Sequence, residues 1–196
     1  MDSIFDSREI SKYISEDILK LYQNYFGVWV QQYGMSSYLG PADHFAIKVE
    51  DENEFEKIVT AFLPYCVEKK NSTPGLSVRT MHGRSIAVAL LKHPLTFGEE
   101  FFDCIEIMQP RPEKQGTDVV GIDHLELITP KLKEIEALLK NARADFYVDA
   151  TNPYKEIVVS FVNDKRWRIK FTNKTLEEIV PLQIRDEPER VKILLL

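Results

Sequence analysis

Two cysteines in 196 residues, Cys66 and Cys104, are too few for a disulfide scaffold. Basic residues are also in deficit, 25 against 31 acidic ones, for a net charge of -6. Binding to nucleic acid rests on Lys and Arg neutralising phosphates, so no nucleic-acid partner is expected. A polybasic membrane anchor is disfavoured for the same reason. No apolar run reaches the roughly 18 residues that suggest a transmembrane helix, so no membrane partner is expected either. The opening Met1-Asp2-Ser3-Ile4-Phe5-Asp6 is acidic and lacks the basic-then-apolar layout of a signal peptide, which makes the cytoplasm the expected location. There is no Gly-rich phosphate loop, no Cys-x-x-Cys, no nucleophile elbow and no Rossmann fingerprint. What remains, 44% hydrophobic and 29% charged, is the composition of a globular chain with one domain or two small units sharing a core.

Residues 7 to about 37 carry Ile10, Tyr13, Ile14, Ile18, Leu21, Tyr22 and Tyr25 at helical spacing. Ser15 before Glu16-Asp17-Ile18 is placed to cap a second helix and split the segment. Gly40-Pro41 stops it. The aromatic face, which includes Phe26 and Trp29, reads as core or interface.

After residue 41 an internal repeat begins. Asp43 to Val49 alternates as a strand, with Phe45, Ile47 and Val49 on one face and His44, Ala46 and Lys48 on the other. A helix follows over 52–63, with Phe55, Ile58, Val59 and Phe62 as its apolar stripe. A short strand near 65–69, a long loop over 71–83, a strand over 84–91, a turn over 94–100 and a strand over 102–108 complete the first unit. Residues 109–117 suit a linker. The order then repeats: a strand over 123–128, a helix opened by Pro130, strands over 144–148 and 156–162, a turn at Asn163-Asp164 and a closing strand over 166–171. A strand–helix–strand–strand–strand unit occurring twice outranks any single motif for fold assignment. Thr175 to Glu178 matches a capping box, and the apolar tail Val191 to Leu196 needs burial on its own chain or on a neighbour.

The expected fold is α+β: two βαβββ modules forming a curled mixed sheet around a cleft, with an N-terminal helical extension. Residues 1–40 form the extension, 41–180 the paired domain (module one 41–110, module two 120–172) and 181–196 the tail.

His44 and His124 hold the same place in the opening strand of each unit. Parity sends Glu106 and Lys170, on the closing strands, to the same side, away from the helices. Two imidazoles and a carboxylate form a ligand set for Fe²⁺, Mn²⁺, Ni²⁺ or Zn²⁺ with positions left for water or substrate. The opposing reading makes Glu106 half of a buried ion pair with Lys170, Arg84 or Lys48, in a metal-free cleft. Glu126, two residues after His124 on the same face, is a general base or an outer-rim salt-bridge partner. Arg84 is a candidate substrate-binding fork at the cleft mouth. Cys104 reads as a small core residue, and His82 and His93 as loop or surface residues.

The segments Asp43-His44-Phe45-Ala46-Ile47, Gly83-Arg84-Ser85-Ile86, Ile105-Glu106, Asp123-His124-Leu125-Glu126 and Ile169-Lys170-Phe171, with Leu176-Glu177-Glu178-Ile179, carry a resemblance. In this order, from Pro41 to Val180, they resemble the vicinal oxygen chelate superfamily, which includes glyoxalase I, extradiol dioxygenases, methylmalonyl-CoA epimerase and bleomycin-resistance proteins. The match is closer to its YecM-like branch, described as metal-binding. The resemblance implies a divalent transition metal held by His44, Glu106 and His124. It departs at Lys170, where glyoxalase-type members carry an acidic ligand. A three-ligand set like the extradiol one remains, with the carboxylate supplied by module one. The implied activity is dioxygenase, isomerase or lyase chemistry on a small anionic organic molecule, with Lys170 holding substrate charge and Glu126 carrying a proton. A binding or sequestration protein using the same cleft is the alternative. An interaction module built on the N-terminal helices and the tail, and a homodimer, also stay open.

Overall fold

The computed structural model describes residues 3–71, 73–81, 83–97, 100–114, 116, 118–149, 155–160, 167–186 and 191–193. His82, the Asn163-Asp164 turn and the last residues of the tail lie outside them.

The N-terminal segment is helical and split as its capping serine requires. Helix α1 (Arg8–Ser11) ends before Ser15, whose Oγ accepts from the Ile18 amide at 3.3 Å to start α2 (Glu16–Tyr33). Gly34, at φ 61°, takes the left-handed turn that closes α2. Helix α2 buries Leu19, Tyr22, Trp29 and Val30, while Leu21, Tyr25 and Val28 are exposed.

Module one follows as β1 (Ala42–Lys48), α3 (Glu52–Phe62), the two-residue strands β2 (Lys69–Lys70) and β3 (Thr73–Pro74), then β4 (Leu76–Met81), β5 (Arg84–Phe97) and β6 (Glu100–Met108). Module two is β7 (Gly121–Ile128), α4 (Leu132–Asn141), β8 (Phe146–Asp149), β9 (Glu156–Ser160) and β10 (Arg168–Thr172). Helix α5 (Leu176–Asp186) and strand β11 (Val191–Ile193) end the described chain. The order in the sheet is β11-β4-β5-β6-β1-β7-β10-β9-β8. Each module's opening strand runs parallel to its closing strand, β1 with β6 and β7 with β10. The modules join where β1 and β7 pair antiparallel. Among the described residues no helix is long and apolar enough to cross a membrane.

Period-two alternation divides this sheet between two environments. Phe45, Ile47, Ile105, Ile107, Leu125, Leu127, Ile169 and Phe171 face the helices in one core with Phe55, Ile58, Ile135 and Leu139. Helix α5 lies elsewhere: Leu176 and Val180 pack on Val88, Leu90 and Cys104. Its start is the expected capping box, with Thr175 N donating to Glu178 Oε2 at 2.9 Å and Glu178 N to Thr175 Oγ1 at 3.1 Å.

Two expectations are corrected, and one left open is decided. The loop over 71–83 contains the sheet strand β4, whose alternation is masked by neighbouring Ser, Thr, Pro and Gly. Gly75 is there because of a close approach: a Cβ would fall 1.5 Å from the Val67 carbonyl oxygen. The turn over 94–100 is shorter, because β5 continues through Pro94 to Phe97 with its register shift against β6 between Leu90 and Leu95. The described part of the tail, Val191 to Ile193, pairs with its own chain, Val191 with Arg79 and Ile193 with Ser77.

Candidate metal centre

The β1–β7 seam brings the two histidines together. His44 faces Glu126 and Ala46 faces His124 across it. The imidazole centroids are 5.5 Å apart, and each residue is 1% exposed. Each ring is held by the aspartate before it. Asp43 Oδ2 lies 2.8 Å from His44 Nδ1, and Asp123 Oδ2 lies 2.8 Å from His124 Nδ1. An ionised carboxylate only accepts, so each pairing puts a proton on Nδ1, and a ring in its neutral form then presents the Nε2 lone pair. At His44 burial is outweighed by Glu126, Asp43 and Glu106, and the ring is shifted up. Both Nε2 atoms are buried without a hydrogen-bond partner.

Glu106 reaches the same point from β6. Its Oε2 is 3.8 Å from His124 Nε2. Ligand atoms of His44, Glu106 and His124 all lie within 4.8 Å of one another. The three residues expected from the sequence therefore converge, and the structure adds one it missed. Arg79, on β4, donates from Nη2 to Glu106 Oε1 at 2.7 Å, and both side chains are buried. The expected bland partners of Glu106 sit elsewhere. Lys48 bonds Asp118 at 3.0 Å and Asp123 at 2.8 Å. Arg84 donates to the Gln109 carbonyl at 3.1 Å and meets Met108 Sδ at 3.3 Å. Lys170 lies 3.5 Å from Glu156 and 3.9 Å from Glu126.

Electrostatics separates the two acids. Burial raises a carboxyl and neighbouring cations lower it. For Glu106 burial is the largest influence, but Arg79 first, then His44 and Lys170, overcome it and hold the carboxyl down at about 2. For Glu126 burial wins over His44 and Lys170, and the carboxyl is pushed up to about 7. Burial, reinforced by Lys170, drives His124 down to about 3, so its ring is neutral. Lys170 resists its own burial through Glu126 and Glu156 and is shifted up.

The supports behind the imidazoles differ. Asp43 also accepts from Leu176 N, the first amide of α5, at 2.9 Å. Asp123 accepts instead from Lys48 and Arg168. Against burial, these partners and His124 hold the Asp123 carboxyl well below its usual range.

The residues fit a divalent transition ion: two bare imidazole nitrogens, an ionised carboxylate with one oxygen turned to them, and outer carboxylates that fix both rings. Cys104 packs in the α5 contact as a core residue. His93 is exposed and lines a separate cavity of about 650 Å³ between the N-terminal segment and β5, with Phe5, Leu19, Lys20, Tyr65 and Leu95. None of the three candidate ligands borders it.

A family model described as YecM protein matches residues 16–181. A solved protein described as "Structural Genomics, Protein EC4020" is 18% identical, covers 93% of this chain and 97% of its own, and superposes with a TM-score of 0.72. A methylmalonyl-CoA epimerase variant of Streptomyces coelicolor, in complex with 2-nitronate-propionyl-CoA, is 12% identical over 68% of this chain and 96% of its own, with a TM-score of 0.47. A variant of 4-hydroxymandelate synthase from the same organism is 8% identical over 70% and 49%, with a TM-score of 0.40. A search of curated proteins returns no match.

Proposed function

The chain belongs to the YecM family, and we propose that it has the vicinal oxygen chelate fold, binds one divalent transition metal through His44, Glu106 and His124 and acts on a small anionic organic molecule. The observation that carries this reading is the pair of buried Nε2 atoms with no partner. An unmade hydrogen bond on a buried polar atom costs about 1–3 kcal/mol, and two such atoms meet in one place beside a carboxylate oxygen.

When bound, the ion supplies Lewis acidity to substrate oxygens. Fe²⁺ would favour dioxygenase chemistry, and Mn²⁺, Ni²⁺ or Zn²⁺ isomerase or lyase chemistry. The remaining work falls to this chain's own residues. Asp43 and Asp123 keep both rings in one tautomer. Arg79 holds Glu106 ionised. Lys170, charged and one fifth exposed, supplies the positive end that an anionic substrate needs. Glu126 is the carboxyl able to hold a proton near neutrality in the metal-free protein. Arg84, half-buried with an unpartnered Nε, stands as a second anion-binding group.

Metal content of the untagged protein by mass spectrometry, beside a His44→Ala/His124→Ala double variant, tests the reading. One equivalent of metal in the wild type, lost in the variant, is the expected result. A protein that takes up none of Fe²⁺, Mn²⁺, Ni²⁺ or Zn²⁺ on titration overturns it. The cleft would then be one that sequesters an anionic ligand on Lys170 and Arg84.

A further inference from the structure

We propose that Glu126 is a fourth protein ligand of the metal, taking over from module two's closing strand the task that Lys170 cannot perform. This rests on the metal-binding reading above and extends it to a residue whose expected role was proton transfer.

Strand register makes the substitution visible. In module one, β1 and β6 align Ala46 with Glu106. In module two, β7 and β10 align Glu126 with Lys170. The pseudo-twofold axis therefore equates Glu106 with Lys170 and Ala46 with Glu126. Module one has its carboxylate on the closing strand and a methyl group on the opening strand. Module two has an ammonium on the closing strand and its carboxylate on the opening strand. One acid per module is kept, displaced by one strand in module two.

The distances agree with ligation. Oε2 of Glu126 is 3.8 Å from His44 Nε2 and 3.9 Å from His124 Nε2. Two donors each about 2.1 Å from a shared ion stand about 3–4 Å apart. The same oxygen therefore sits at ligand spacing from both bare nitrogens, and beyond hydrogen-bond reach of either. A carboxylate only 3% exposed is costly to keep without a close partner, and among the described residues the ammonium that pairs with it, Lys170, is 3.9 Å away. Lys170 has the nearer Glu156, at 3.5 Å, to pair with while Glu126 turns to the ion. Glu106 and Glu126 would then flank two imidazoles as a His2Glu2 set.

The test uses the full chain and Co²⁺ alone. Competition titration gives affinity, and the visible absorption bands of Co²⁺ report the ligand field. The wild type is expected to take up one Co²⁺. Removing an outer partner of a metal ligand costs about 10–100-fold in affinity, so Glu126→Gln is expected to cost more than about 100-fold and to alter the visible bands. Glu126→His, which restores a donor, is expected to recover tight binding with a third imidazole. It also serves as the deciding variant if Glu126→Gln fails to fold. A folded Glu126→Gln protein with wild-type affinity and spectrum overturns the inference while the metal reading survives. So does a folded Glu126→His protein that binds no better than Glu126→Gln. A wild type that binds no Co²⁺ overturns the metal reading itself.

Discussion

Arg79 Nη2 lies 2.7 Å from Glu106 Oε1, and this buried pair decides which carboxylate oxygen faces the imidazoles. With Oε1 engaged, Oε2 is left toward His124 at 3.8 Å. The pair also holds the ionised form of Glu106 in a place where burial alone would protonate it. Strand β4 thus contributes to the centre without supplying a ligand.

Breaking that pair from one side is expected to destabilise the fold. Arg79→Met leaves Glu106 buried and unpaired, at a cost of about 3–5 kcal/mol, read by urea unfolding. The double variant Arg79→Met/Glu106→Leu is expected to recover much of the loss, because no lone charge remains. The pH dependence has a definite sign. Glu106 is lowered from 4.5 to about 2, so its contribution is complete above pH 4.5 and is lost as pH falls toward 2. In Arg79→Met that window should shrink. An acid unfolding curve with the wild-type midpoint would contradict this account.

Arg79 also marks the limit of what the sequence shows. The doubled unit places His44, His124, Glu106 and Lys170 on one face by parity alone, and all four lie there. A repeat works as a ruler because matching positions in two modules must share an environment. Strand β4 is harder to see, since Asn71 to Gly83 is dense in turn-forming residues and the short strand expected near 65–69 takes its slot. Two signals point to it. Module two needs a strand between its helix and β9, so module one needs the counterpart. Leu76-Ser-Val-Arg-Thr-Met81 also alternates, with Ser77 and Arg79 on one face. Bulges hide more: the β1–β7 register shifts that allow Asp43 and Asp123 to turn onto their neighbouring imidazoles leave no trace in composition.

Lys48 should matter to the metal without touching it. Its ammonium is 2.8 Å from Asp123 Oδ1, and Asp123 Oδ2 orients His124. Lys48→Met keeps the Arg168 contact, so His124 loses only part of its support. A drop of up to about 10-fold in Zn²⁺ affinity is expected, at the mild end of outer-sphere effects. Unchanged affinity with normal stability would disconnect Lys48 from the centre.

The thiols should be silent. Cys66 is buried and its thiol is pushed up to about 12 by that burial. Cys104 is raised too, by burial first and then by nearby carboxylates. Thiolate is the reactive form, so neither should react with an aromatic disulfide reagent at pH 8 in the native state, and both should react after unfolding. Rapid labelling of Cys104 in the folded protein would mean that α5 does not stay on Leu90 and Val88.

Removing residues 187–196 tests the tail as a sheet element. Strand β11 pairs with β4, which would otherwise be an open edge. Exposed edges template association between chains. The truncated chain is expected to self-associate more and to unfold earlier, by light scattering and thermal denaturation. A tail that instead served a partner would leave the isolated protein unaffected.

One hydroxyl ties the N-terminal helices to the centre. Tyr22, on α2, donates to the Arg168 carbonyl of β10 and accepts from the Leu125 amide of β7 at 3.2 Å. Its ring meets Phe45 edge-on at 5.3 Å and Trp167 at 5.1 Å. Leu125 follows His124, and Arg168 lies beside His124 in the register, so the hydroxyl bridges the two strands directly behind that ligand. Tyr22→Phe keeps the ring and removes both bonds, leaving a buried amide and a buried carbonyl short of one partner each. The expected cost is about 1–3 kcal/mol, or about 2–12 °C in Tm for a chain of this size. Because the ring packing is retained, Trp167 fluorescence should stay native-like below the transition. A change in the Trp167 spectrum would instead mean that α2 has shifted, and a Tm equal to the wild type would show that the hydroxyl is not what fastens α2 to the sheet.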